Sequence, residues 1–97
     1  MAEPDDLTTL RLRIEGSVQA VGFRFFAVEQ ARKLGLDGWV RNRSDGTVEA
    51  LISGATKAVE EFVGQCMRGP PGAIVKNIDL HNAEPPAEKG FHQRPSI

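Results

Sequence analysis

The chain has 97 residues, room for one hydrophobic core and not for two. At 40% apolar and 26% charged residues it has an ordinary globular composition, and a net charge of −1 excludes general affinity for nucleic acid or an anionic membrane. A single cysteine, Cys66, excludes an intrachain disulfide and a cysteine-based zinc cluster. The acidic start, residues 1–6 with Pro4, lacks the basic and apolar regions of a secretory leader. No apolar run reaches the roughly 20 residues of a membrane span. A cytoplasmic protein without membrane or nucleic-acid partners is expected.

Leu10, Leu12 and Ile14 alternate with Arg11, Arg13 and Glu15, which predicts a strand with one buried face. From Phe23 the period changes: Phe23, Ala27, Ala31 and Leu34 recur at helical spacing, Phe26 widens the stripe, and Gly35 stops it. Residues 36–42, with Trp39 and Val40, read as a second strand, and Ser44, Asp45 and Gly46 as a turn. Val48, Ala50 and Ile52 alternate with Thr47, Glu49 and Ser53 in a third strand that Gly54 is expected to end. Thr56 is the expected N-cap of a second helix, on which Val59, Phe62, Val63, Cys66 and Met67 fall on one stripe. Cys66 is thereby expected to be a buried structural thiol.

Residues 69–72, Gly-Pro-Pro-Gly, stop that helix. Residues 73–80 form a fourth strand whose Ile74, Ile78 and Leu80 face is interrupted by Lys76. Residues 83–90 read as a polar loop and 91–97 as a short edge strand, the only place where Pro95 is tolerated. The order is βαββαβ: an α+β sandwich of two helices on one face of a mostly antiparallel sheet, in one domain over residues 1–97 with its core in about 8–82.

Residues 16–24, GSVQAVGFR, join the first strand to the first helix and end with Arg24 in the helix's first turn. A cation is misplaced there by roughly 0.3–1 kcal/mol, because helix N-termini carry unpaired N–H groups and a partial positive charge. Exposed amides, a helix N-terminus and an arginine are together what an oxyanion such as phosphate requires. In a right-handed crossover the first and second strands run parallel with the third between them, so Asn42 ends at the same sheet edge as this loop. Asn42 shares the parity of Val40 and is expected to face the helix N-terminus.

With GWVRN at residues 38–42 and DGTV at 45–48, the GSVQAVGFR run resembles acylphosphatase, a metal-independent phosphohydrolase family of ferredoxin-like fold. The resemblance covers about residues 10–80. It implies hydrolysis of an acyl phosphate to a carboxylate and inorganic phosphate, with no cofactor and no metal. Arg24 and the amides of Gln19, Ala20, Val21, Gly22 and Phe23 would hold the phosphoryl oxygens, and Asn42 would position the attacking water. The motifs contain no His, Asp or Glu near Arg24, which limits the chemistry to activated phosphates and makes a phosphate monoester a poor substrate. A monomer is expected.

The family pattern has a glycine where this chain has Ala20. If that position has positive φ, alanine costs on the order of 1 kcal/mol or shifts the loop; if φ is negative, alanine is harmless. A phosphate or acyl-phosphate binding module with little turnover is therefore the alternative. A third reading, an RNA-binding domain of the same element order, lacks the aromatic platform on its open strands. Arg41 and Arg43 read as a solvated strand-end pair, Trp39 as packing, and His81 and His92 as loop residues without a ligand cluster.

Overall fold

The computed structural model describes residues 6–97; of the acidic stretch 1–6, expected to be no secretory leader, residues 1–5 lie outside them. The elements are β1 (Leu7–Ser17), α1 (Phe23–Lys33), β2 (Asp37–Asn42), β3 (Val48–Ala55), α2 (Thr56–Arg68), β4 (Ile74–Asn82) and β5 (Phe91–Gln93). They build the expected α+β, ferredoxin-like sandwich, a five-stranded sheet in the order β4-β1-β3-β2-β5 covered on one face by two helices. β1 and β2 each pair antiparallel with β3 and so run parallel to one another, while β5 pairs parallel with β2. No helix among the described residues is long and apolar enough to cross a membrane.

Period-2 alternation sends Leu12 and Ile14 of β1, Val40 of β2, and Val48, Ala50 and Ile52 of β3 to the helix side, where all six are fully buried. Phe23, Ala27 and Ala31 of α1 and Val59, Phe62 and Cys66 of α2 meet them. Phe91 of the edge strand closes the layer, its ring 6.0 Å from that of Phe62. Burial pushes the Cys66 thiol up to about 12, in keeping with the expected inert packing role.

Several boundaries differ from expectation. Gly54 does not end β3: the strand runs on to Ala55, and a Cβ at Gly54 would lie 2.6 Å from Leu36 Cδ2. Gly54 serves the close approach of the Leu36 side chain rather than a turn. Thr56 is the first residue of α2 and not its cap, because strand passes into helix at Ala55 with no side-chain cap. The Thr56 hydroxyl bonds that of Thr8 instead, at 2.7 Å. Met67 is 48% exposed, so the α2 stripe is narrower than its sequence spacing.

On β4, Ile74 and Leu80 are exposed, because β4 is an edge strand and the register shifts between Glu15 and Gly16; Val75 and Ile78 pack on the core. β5 is a three-residue ladder with Pro95 beyond it. The chain that follows still bonds the β2 edge, Arg94 N–H to the Val40 carbonyl (2.8 Å) and Ile97 N–H to that of Asn42 (3.1 Å).

Candidate active site

The sheet register places the end of β2. Asn42 lies opposite Val48, and Val48 lies opposite Ile14, so the three form one row across the sheet. Val48 and Ile14 are both fully buried under the helices, so Asn42 faces the same side, as its parity requires. The loop that leaves β1 after Ser17 starts from the same end. Val18, 1% exposed, anchors it to the core, and Val21 packs partly against the core further on.

Gly22 then caps α1 with φ +76, the left-handed region, and nothing lies within 4 Å of a Cβ built on it. The Phe26 N–H bonds the Gly22 carbonyl at 2.9 Å, but no side chain caps the helix and its first turn holds no acidic residue. The N–H groups of that first turn are the four orphans of any helix start, with the positive end of the dipole behind them. Phe23 is buried and orients the turn; Arg24 follows it, half-buried.

Ala20, Gly22, Arg24, Phe25 and Asn42 line one cleft of about 160 Å³. The two residues singled out from sequence as catalytic, Arg24 and Asn42, are thus brought together from separate elements. Among the described residues neither side chain takes part in an ion pair or side-chain hydrogen bond, whereas Arg13, Arg41 and Arg43 all do. A larger cleft, about 620 Å³, opens at the other end of the sheet between Thr8, Ser53 and the 85–89 loop. It has neither an arginine nor a helix N-terminus, and size alone gives it no chemistry.

Ala20 has φ +62 and is the one non-glycine residue with positive φ among the described residues. This decides between the two conformations that the sequence leaves open. A left-handed alanine costs about 1–2 kcal/mol, so neighbouring contacts have to hold the loop. Gln19 supplies them. Its Nε2 donates to the carbonyls of Arg43 (2.8 Å) and Thr47 (2.9 Å), tying the loop to the hairpin that follows Asn42. The sequence points to the backbone amide of Gln19 as a phosphate donor and says nothing of its side chain, which is turned to the hairpin. No local signal marks this, since the partners lie 24 and 28 residues away.

The hairpin is itself braced. Asp45 accepts from the Thr47 N–H (3.0 Å), the Thr47 hydroxyl (2.6 Å) and Arg13 Nη2 (3.0 Å). The Thr47 bonds, and then Arg13, hold its carboxyl well below the usual carboxylate range. Glu49 is buried on the opposite face from the helices, where burial alone would raise its pKa; bonds from Arg41 Nε (2.8 Å) and Arg43 Nη1 (3.1 Å) outweigh this and lower it. Arg41 and Arg43 are therefore engaged with Glu49, and the expected solvated strand-end pair is corrected.

Trp39 is half-buried on that face, with the Arg41 and Arg94 guanidinium carbons 4.6 and 5.1 Å from its ring centroid. His81 sits on β4 opposite Arg11, and His92 Nε2 lies 3.1 Å from the Lys89 carbonyl; neither lines the cleft.

A model of the acylphosphatase family matches residues 10–93. A protein from Acidiphilium cryptum named acylphosphatase is 57% identical over 83 residues, 86% of this chain and 91% of that one. One of the same name from Rhizorhabdus wittichii is 45% identical over 96 residues, 99% of this chain and 97% of that one. The crystal structure of acylphosphatase from Bacillus subtilis superposes with a TM-score of 0.85 at 36% identity, covering 92% of this chain and 99% of that one.

Proposed function

The chain belongs to the acylphosphatase family, and we propose that its hydrolase activity, cleavage of an acyl phosphate to a carboxylate and inorganic phosphate, takes place at Arg24, the preceding loop and Asn42. The observation that carries this reading is the shared cleft: a guanidinium without an ion partner among the described residues and a helix N-terminus without a side-chain cap, beside a carboxamide from the end of β2.

In this reading the phosphoryl oxygens lie against the Arg24 guanidinium and the backbone N–H groups of Gln19, Ala20, Val21, Gly22 and Phe23. These donors are fixed before substrate arrives, so they stabilise the charge that spreads over the oxygens in the transition state without reorganising. Asn42 holds a water in line with the bond to be broken. The water oxygen bonds to phosphorus as the phosphorus–oxygen bond to the acyl group breaks. The electron pair leaves on the carboxylate, and the water proton passes to a phosphoryl oxygen.

Among the described residues no Asp, Glu or His lines the cleft to act as general base, so the leaving group has to be good. A carboxylate is; an alkoxide is not, and monoesters are expected to turn over poorly. The lining side chains also offer no ligand set for a metal, and activity is expected to persist in chelator.

The loop, Arg24 and Asn42 come from one chain, which supports a monomer as the working unit and residues 1–97 as one catalytic domain. The free, buried Cys66 suits a reducing compartment such as the cytoplasm. The test is hydrolysis of benzoyl phosphate in chelator beside Arg24→Ala. Turnover that the substitution abolishes supports the assignment; equal rates in both proteins overturn it.

A further inference from the structure

Three phenylalanines open α1, in three different environments. Phe23 is buried, and Phe26 packs edge-on against it with ring centroids 5.8 Å apart. Phe25 is 65% exposed and is not part of the hydrophobic core. Single exposed apolar residues are ordinary on a protein surface. Phe25 differs by position, because it lines the same cleft as Arg24 and Asn42 and follows Arg24 directly in the chain.

At about 160 Å³ the cleft is well below the roughly 300–1,000 Å³ that encloses a drug-sized ligand. It has room for a phosphoryl group and a water, so a bulky acyl group has to lie at its mouth. The lining there is one-sided chemically. Among the described lining residues Arg24 is the one that is charged, Asn42 and Gln93 are neutral, and of the apolar ones Val18 and Phe23 are buried while Phe25 and Ala20 are exposed.

An ammonium on the acyl group would sit near the Arg24 charge with no carboxylate among the described lining residues to meet it. A second carboxylate would compete with the phosphoryl group for the same guanidinium. An apolar acyl group suffers neither penalty, and it covers the Phe25 ring from water.

We infer that Phe25, with Ala20 lining the same cleft, is the acyl-group subsite, and that it selects acyl phosphates with an uncharged apolar acyl group, aromatic ones foremost. This rests on the phosphoryl-binding role of Arg24 and its loop. Phe25 touches the leaving group and not the phosphorus, so its contribution is to specificity.

The experiment compares kcat/KM for benzoyl, acetyl and succinyl phosphate in the wild type, Phe25→Ala and Phe25→Leu, with Ki for inorganic phosphate as reference. Ratios between proteins cancel the intrinsic reactivity of each substrate. Phe25→Ala is expected to lower the benzoyl-to-acetyl ratio roughly tenfold, the scale on which an apolar pocket discriminates, and mainly through KM. Phe25→Leu restores part of the ratio, and succinyl phosphate is the poorest wild-type substrate.

An equal loss on benzoyl and acetyl phosphate, or a wild type that prefers the succinyl group, overturns the subsite. Because Phe25 is exposed, both variants are expected to fold, and thermal melting checks this. Arg24→Ala separates the two levels. If it keeps turnover, the phosphoryl assignment fails and this inference with it. If it is inactive while Phe25→Ala leaves the ratio unchanged, the acyl subsite alone fails.

Discussion

The Gln19 carboxamide nitrogen lies 2.8 Å from the Arg43 carbonyl and 2.9 Å from that of Thr47, so one side chain joins the loop before α1 to the strand end that carries Asn42. The Thr47 carbonyl also accepts the Arg43 N–H at 2.9 Å, so the clamp grips the point where the hairpin closes. Two parts of the site from distant stretches of chain thereby keep a fixed spacing.

Removing the clamp tests that relationship. At about 0.5–1.5 kcal/mol net for each hydrogen bond, Gln19→Ala is expected to lose about 1–3 kcal/mol in urea unfolding. Gln19→Glu is expected to be worse, since an ionised carboxylate cannot donate and would face two carbonyl oxygens. Both should lower kcat, because the proposed phosphoryl-binding loop and the proposed water-positioning Asn42 drift apart. An alanine variant as stable and as active as wild type contradicts the clamp.

Ala20 gives a prediction of opposite sign. Glycine at φ +62 has no Cβ to strain, so Ala20→Gly is expected to stabilise the protein by up to about 1 kcal/mol, part of the relief being offset by the greater freedom of glycine in the unfolded chain. Urea midpoints of the two proteins decide it. A clear loss of stability would mean that the alanine is not strained.

How much of this was legible in the sequence follows from the range of each interaction. β1, α1 and α2 rest on periodic burial, which the residues display directly, and Arg24 announces itself by sitting at the wrong end of a helix dipole. Asn42 needed only strand parity and crossover handedness. The Glu49 partners were within reach too, because the short turn after Asn42 sets Arg41 directly opposite Glu49. Gln19 was not legible, since nothing local tells a carboxamide which of many carbonyls it will meet. The φ of Ala20 was equally hidden, because an alanine by itself favours negative φ and only contacts made elsewhere in the fold hold it at +62. The start of α2 was misread because a threonine before an apolar run resembles a cap wherever the preceding strand stops.

Acid should weaken the hairpin first. The Asp45 and Glu49 carboxyls both have folded values below their ordinary 3.8 and 4.5, so each favours the folded state in full above those values and loses its contribution as pH falls. Stability is expected to be flat from neutral pH to about 5 and to decline below about 4.5. Asp45→Asn should flatten part of that decline in unfolding curves taken from pH 7 to 3. A decline as steep in the variant as in the wild type contradicts the assignment.

The proposed division of labour has Arg24 binding the phosphoryl group and Asn42 positioning water. The most direct test measures benzoyl phosphate turnover and inorganic phosphate binding side by side in Arg24→Ala and Asn42→Ala, both checked for folding. The expected result is loss of both in Arg24→Ala, and in Asn42→Ala a kcat lowered by at least about a hundredfold, the scale of one lost catalytic donor, with phosphate affinity retained. Near wild-type turnover in Asn42→Ala, or undiminished phosphate binding in Arg24→Ala, would contradict it.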